Sequence, residues 1–279
     1  MHKSVLLSES VDGLDLKPGE TLVDGTFGGG GHSREVRKRF GETVRIVGLD
    51  RDPRVAEENA DFEVRTMSFA DIDKLDMEPD AILLDLGISS IQLDSSGKGF
   101  SFLRDEPLDM RMSGEGITAA EILNSWDEHA IELILRGFGE EKHSGRIARA
   151  IVEKRESKPF ESTFELVDTI LAVRPRTFRD RIHPATRTFQ ALRIAANEEL
   201  SSLEKGLEKG FEILKPGGRF AVISFHSLED RIVKNFFRDK TAAGEGKLIS
   251  KKPIVPADGE VRANSRSRSA KLRIIKKYE

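Results

Sequence analysis

Three short apolar runs in the first 85 residues each end in an aspartate: Thr21 to Asp24 (TLVD), Arg45 to Asp50 (RIVGLD) and Asp80 to Asp85 (DAILLD). A fourth run, Phe62 to Met67 (FEVRTM), precedes the last of them. Runs this short and this apolar read as strands buried on both faces. Helix-like stretches, His32 to Phe40 and Pro53 to Asn59, separate the first three strands. Pro53 stands at a first helical position, where its missing N–H removes no hydrogen bond. Alternation of strand and helix argues for a parallel sheet covered by helices, an α/β fold. Such sheets bind ligands at the carboxyl ends of their strands, where the three aspartates are expected.

The pattern then changes. From about Asp105 to Pro184 the chain offers no convincing strand, only helical segments at Ala119 to Asn124, Glu128 to Arg136, Glu140 to Arg155 and Phe164 to Val173. Capping boxes are expected at Ser125 with Glu128 and at Ser162 with Glu165. A long amphipathic helix follows, with Phe189, Leu192, Ala196, Leu200, Leu203, Leu207, Phe211 and Leu214 every three or four residues. Lys215-Pro216-Gly217-Gly218 should end it. A buried strand at Arg219 to Phe225, a helix around Leu228 to Arg238 and a last strand at Lys271 to Lys276 return the chain to the sheet. The expected organisation is an α/β domain made of 1–104 and 186–279, interrupted by an all-helical insert at 105–185.

Composition narrows what such a fold can do. No apolar run in the 279 residues approaches the ~20 needed to span a membrane. The opening MHKSVLLSES has too short an apolar stretch for a secretory signal, so a soluble, cytoplasmic protein without a membrane partner is expected. The chain has no cysteine, which excludes disulfides, thiolate metal sites, a thiol nucleophile and Cys-ligated iron–sulfur clusters. Its six histidines are scattered, with no i, i+4 pair, and no metal is expected. The formal net charge of −3 conceals a basic stretch at 247–279, with 10 Lys and Arg against 3 Asp and Glu. That stretch suits either contact with a polyanion or ordinary solvated surface.

The loop after the first strand reads Asp24-Gly25-Thr26-Phe27-Gly28-Gly29-Gly30-Gly31-His32-Ser33. Glycines let the backbone approach a ligand closely, and the next helix presents free N–H groups. A dinucleotide site wants G-x-G-x-x-G, and that register from Gly28 would put Ser33 where the third Gly belongs. Asp24, directly before the glycines, would also crowd a pyrophosphate; it suits the cationic α-amino group of a methionine moiety. Asp50, 19 residues beyond Gly31, stands where a carboxylate accepts both ribose hydroxyls of a nucleoside cofactor, NAD or S-adenosylmethionine alike. Phe69 is either core or a cover for an adenine face.

The last of the Asp-ended strands leads into Asp85-Leu86-Gly87-Ile88-Ser89-Ser90, with Gln92 close behind. A short polar turn here can accept hydrogen bonds from a target amine. An exocyclic amine on a base is a poor nucleophile because its lone pair is delocalised into the ring; acceptors at its N–H groups localise and aim that pair. With no cysteine, pyrimidine C5 and radical carbon chemistry are unavailable, which leaves direct transfer to nitrogen or oxygen.

In these motifs the sequence resembles the bacterial 16S rRNA (cytosine-N4)-methyltransferases, the RsmH or MraW family. The stretches that carry the resemblance are DGTFGGGGHS (24–33), GLDRDP (48–53), ILLDLGISS (82–90), GKGFSFLRDEPLDMRM (97–112), GEEKHSGRIARAIVEKR (139–155), HPATRTFQALRIAANEEL (183–200), LKPGGRFAVISFHSLEDRIVKNFF (214–237) and SRSRSAKLR (265–273). Together they span essentially the whole chain. Two departures are Ile91, where relatives often have Pro, and Gly29, at a variable position.

The resemblance implies a class I, Rossmann-like methyltransferase sheet with a helical substrate-recognition insert. It implies S-adenosylmethionine as the methyl donor and, as acceptor, a decoding-centre cytidine of 16S rRNA within the small ribosomal subunit. Cofactor positions carry over to Gly30, Gly31, His32, Asp50, Phe69, Asp85 and Gln92. Ser89 is the first candidate to handle the amine proton and Asp109 the second. Arg111, Arg187, His226 and Arg231 stand in family-typical motifs as candidates to meet RNA. The alternatives are an N-methyltransferase acting on DNA or protein, a non-catalytic RNA-binding ribosome-assembly factor, and an NAD-dependent oxidoreductase.

Overall fold

Every strand expected from the sequence forms, within a residue or two of its expected bounds. The computed structural model describes residues 4–87, 97–180 and 182–279. Its strands are β1 (Thr21–Asp24), β2 (Arg45–Asp50), β3 (Glu63–Thr66), β4 (Ala81–Asp85), β5 (Arg219–Ser224), β6 (Gly246–Leu248) and β7 (Lys271–Lys277). They make one sheet in the order β3-β2-β1-β4-β5-β7-β6. Strands β1 to β5 pair in parallel, and β7 runs antiparallel to both β5 and β6. In register, Asp24 lies beside Gly48 of β2 and Leu83 of β4. The order reverses at β1, and the carboxyl end of that strand is therefore a topological switch point where α/β sheets open a ligand crevice.

Alternation along each strand sends side chains to two cores. On one face Leu22, Ile46, Leu83, Ala221 and Ile223 pack with Val11 and Leu14 of α1 (Leu7–Leu14) and Val36 of α2 (Gly31–Phe40). On the other, Val23, Val47, Leu49, Ile82, Leu84 and Val222 pack with Leu203, Leu207 and Phe211 of α9 (Glu199–Ile213). Each such apolar side chain, removed from water, stabilises the fold by about 1.5–3 kcal/mol. Helix α3 (Pro53–Glu58) begins with Pro53 as expected, and the Asp52 side chain caps it by accepting from Arg54 N at 3.1 Å. Helix α10 (Ser227–Ala242) follows β5, and α11 (Asp258–Ala263) precedes β7.

The chain divides into two compact units, 1–87 with 200–279, and 88–199. The second is helical: α4 (Ala119–Ser125), α5 (Glu128–Gly137), α6 (Ser144–Arg155), α7 (Thr163–Val173) and α8 (Thr186–Asn197). Its core joins Ile122, Leu123, Ile131, Leu135, Ile147, Ile151, Phe160, Leu166 and Ile170 with Phe100, Phe189 and Leu192. The unit thus takes in residues on both sides of the 105–185 segment expected from the sequence.

Two local expectations are corrected. The single long helix from Phe189 to Leu214 is two helices, α8 and α9. Glu198 sits in the left-handed region (φ 49°, ψ 39°) and its N–H caps Ala195 and Ile194 carbonyls. The capping box expected at Ser125 is absent from that position. Ser125 Oγ instead donates to the Glu121 carbonyl, while Asp127 caps α5 by accepting from Ala130 N at 2.8 Å. The box is found one helix earlier, at Thr118 with Glu121, and the one at Ser162 with Glu165 forms as expected. Among the described residues no helix is long and apolar enough to cross a membrane.

Candidate active site

The three aspartates of the strand ends meet at the switch point. Asp24, the last residue of β1, is buried and accepts from Ser33 Oγ at 2.7 Å. Burial pushes its carboxyl up to about 6, against the hydrogen bonds from Ser33 and Thr26 N, and the Asp50 charge adds to the rise. Asp50 closes β2 and holds the glycine loop: Gly28 N donates to its Oδ2 and Asp52 N to its Oδ1, both at 2.9 Å. Burial raises this carboxyl too, against those same backbone bonds. Each Asp50 oxygen keeps a second lone pair for a further donor.

Asp85, at the end of β4, is tied to the loop through its backbone, with its N–H donating to Thr26 Oγ1 at 2.6 Å. Its carboxylate is left largely unsatisfied. Oδ1 is buried with no hydrogen-bond partner among the described residues, and Oδ2 stands 3.7 Å from His32 Nδ1, too far for a hydrogen bond. Burial drives the Asp85 carboxyl well above its usual range, reinforced by the charges of Asp24 and Glu229. The neighbouring charges that shift these three groups are those of other acids. A buried carboxylate without a partner is costly unless a proton or a cation neutralises it.

The glycines of the loop are required by how tightly it packs on its own neighbours. Gly30 caps α2 at φ 68°, and a Cβ on it would lie 2.8 Å from the Phe27 ring. A Cβ on Gly31 would lie 1.9 Å from Ser4 Oγ. His32, in the first turn of α2, is buried and fixed by the Val5 carbonyl, 3.2 Å from Nε2. A carbonyl only accepts, so Nε2 carries a proton and the other ring nitrogen faces Asp85. Phe69 begins the short 3₁₀ segment Phe69–Leu75, half-buried, with its Cβ against Gly25 and its ring against Gly206 of α9. It therefore borders the loop and fills the core at once.

The remaining candidates fall in both units. Ser89 and Gln92 lie outside the described residues. Asp109 is held by Arg111 through a two-pronged pair, Nε to Oδ1 at 2.7 Å and Nη2 to Oδ2 at 3.0 Å. Burial lifts the Asp109 carboxyl, but the hydrogen bonds and charge of Arg111 outweigh it and hold the group below the usual range. Arg187 Nη1 donates to the Glu140 carbonyl at 2.8 Å. His226 caps α10, and Glu229 accepts from the backbone N–H groups of Phe225 and His226 in return. Arg231 is exposed on the same helix. Thr26 and Ser33, not singled out from the sequence, anchor Asp85 and Asp24 directly, by accepting from Asp85 N and donating to Asp24 Oδ2. Both stand inside the glycine-rich motif, where Asp24, the glycines and His32 drew the assignment.

The strand order is that of a class I methyltransferase, the class that takes its methyl group from S-adenosylmethionine. The chain belongs to the MraW methylase family, whose model matches residues 1–278. It is 46% identical over 305 residues to a "Ribosomal RNA small subunit methyltransferase H" of Carboxydothermus hydrogenoformans, covering 99% of this chain and 97% of that one. A protein of the same name from Caulobacter vibrioides is 44% identical, with 98% of this chain and 94% of the relative covered. A solved structure described as a putative rRNA-methylase from Clostridium thermocellum aligns with 99% of this chain and 100% of its own at a TM-score of 0.44 and 16% identity. The fold assignment stands on the strand order itself.

Proposed function

We propose that this protein transfers a methyl group from S-adenosylmethionine to the exocyclic N4 of a cytidine in the decoding centre of 16S rRNA. The observation that carries the cofactor side of this reading is the convergence of Asp24, which is buried, with Asp50 and Asp85, which are half-buried, each shifted by the charges of other acids and by no cation. The residues fit the donor: Asp24 faces its ammonium group, Asp50 takes the ribose hydroxyls on its free lone pairs, and Asp85 Oδ1 gains a partner. Gly30, Gly31 and His32 give the backbone close approach, and Phe69 covers the adenine. Gln92 completes the set from the segment after β4. When bound, the cofactor supplies an electrophilic methyl on a sulfonium.

The rest falls to the chain's own side chains. Ser89 accepts from the target amine and aims its lone pair along the line of transfer, a matter of orientation more than of base strength. The amine becomes acidic only as it attacks, so no strong base is required beforehand. Asp109, locked to Arg111, is the lesser candidate for that proton. The helical unit, with Arg111 and Arg187, and the α10 residues His226 and Arg231 are assigned to RNA. The names of the relatives support ribosomal RNA as substrate, and the absence of cysteine supports nitrogen over pyrimidine C5 as the acceptor.

Mapping modified cytidines in small-subunit RNA, with and without the protein, tests the reading. N4-methylcytidine at one decoding-centre position, lost without the protein, is the expected result. Methylation confined to DNA or protein would overturn it.

A further inference from the structure

The segment after α7 carries an aromatic side chain that the fold does not use. Phe178 is 93% exposed, more than any other large apolar side chain among the described residues. It sits in the sequence Arg174-Pro175-Arg176-Thr177-Phe178-Arg179-Asp180. The one acid of this run is turned inward. Asp180 accepts from Thr177 N at 2.7 Å and Thr177 Oγ1 at 3.0 Å, and pairs with Arg174. Its charge is thereby matched, whereas Arg176 and Arg179 stand exposed on either side of Phe178. The Arg179 guanidinium lies 5.3 Å from the centre of the Phe178 ring.

The loop is not a loose tether. Asp180 N donates back to the Thr177 carbonyl at 3.1 Å, closing a turn, and Pro175 restricts the entering backbone. Just beyond, His183 stacks on Phe102 with ring centres 4.8 Å apart and planes at 21°. Phe102 meets Phe189 of the helical core at 5.4 Å. Anchored at that end, the turn holds an aromatic ring in water with the Arg179 guanidinium beside it and exposed Arg176 two residues before it.

We infer that the 174–180 loop docks single-stranded RNA, with an unstacked base lying on Phe178 and Arg176 and Arg179 meeting the flanking phosphates. Aromatic rings with neighbouring guanidinium groups are how proteins grip unpaired bases without reading a duplex groove. One exposed ring in a run carrying Arg176 and Arg179 offers less apolar area than the few hundred Å² of a typical protein-contact patch. This inference rests on the reading of ribosomal RNA as the substrate.

The test uses the full chain and its Phe178→Ala, Phe178→Tyr and Arg176→Gln/Arg179→Gln variants, with a single-stranded oligoribonucleotide, its duplex, and purified small subunits. Phe178→Ala should weaken binding to the single strand by ~5- to 150-fold, the range for one base–aromatic stack. Phe178→Tyr should restore it, and the affinity for S-adenosylmethionine should not change. The double Arg variant should flatten the salt dependence of binding by about one and a half units of slope, at ~0.7 per phosphate contact on a single strand. On small subunits the effect should fall on KM and not on kcat.

If the wild type methylates small-subunit RNA while Phe178→Ala binds and turns over unchanged, the docking inference is wrong and the function stands. If the wild type methylates no ribosomal RNA yet Phe178→Ala loses the oligoribonucleotide, the function falls and the RNA contact remains. Loss of binding only to isolated small-subunit proteins would make the loop a protein contact and overturn the inference.

Discussion

The acids at the sheet edge and the acids of the helical unit are shifted in opposite directions. Burial pushes Asp24 up to about 6 and Asp85 well above its usual range, with further acids as neighbours. In the helical unit, Lys158 and the N–H groups of Glu161 and Ser162 bring Glu165 down to about 2. Asp109 is likewise held low by Arg111 in spite of its partial burial. The contrast is one of sites rather than of units. Asp230 shares a unit with the sheet edge, and there Arg273 at 2.7 Å and Lys271 at 2.9 Å overcome burial and lower it. Asp109, Glu165 and Asp230 each come with a cation of the chain; the three acids at the switch point are shifted by other acids instead.

The largest effect that can break this comparison belongs to Asp24. Its pKa is raised on folding, so its favourable contribution is full below about 3.8 and is lost as pH rises through about 6. Converted at 1.36 kcal/mol per unit, carrying the charge in the cofactor-free fold costs about 3 kcal/mol near neutrality. Asp24→Asn should therefore stabilise the cofactor-free protein by up to that amount at about pH 7.5 and by little at about pH 4. Urea midpoints at the two pH values measure it, and a variant destabilised at both would refute the argument. In the wild type, cofactor affinity should fall by about tenfold per pH unit below about 6, because binding a cation must first displace the proton. The variant should bind weakly and show no such slope.

Asp50→Ala comes next. A hydrogen bond to a charged group contributes ~1.5–3 kcal/mol, and losing one from the ribose corresponds to a 10- to 100-fold rise in Kd. Calorimetry on the folded variant reads this directly, and an unchanged Kd would remove Asp50 from the cofactor. The smallest effect lies on the other side of the comparison. Thr118→Ala removes the capping box of α4 and should cost ~1 kcal/mol of stability. Cofactor affinity should not move, which a paired thermal melt and titration would verify.

The sheet was legible because buried parallel strands are short, apolar and bounded, and β1, β2, β4 and β5 have few other readings. The three Asp positions followed from the same pattern. Other features depend on partners that sequence spacing does not reveal. Arg187 reaches a carbonyl 47 residues away, and His226 works as a helix cap, so neither motif announced its local task. The break at Glu198 was hidden because glutamate is a good helix former and the apolar period runs straight through it. Strand β6, three residues long, gives too little alternation to register. The upward shifts of Asp24 and Asp85 come from depth, which no residue spacing encodes.

The position of β7 has a consequence for how the molecule comes into being on the ribosome. In space it lies between β5 and β6, yet it is the last of the seven described strands to be synthesised. Until Lys271–Lys277 emerges, β5 is paired with β4 on one side only, and its other edge, with Phe220, Val222 and Ile223 along it, stays open. An unpaired apolar edge is a template for pairing with a neighbouring chain. The helical unit, continuous in sequence from 88 to 199, is synthesised ahead of β5 and β7 and can assemble before them. The catalytic half, begun earliest, is the half finished last.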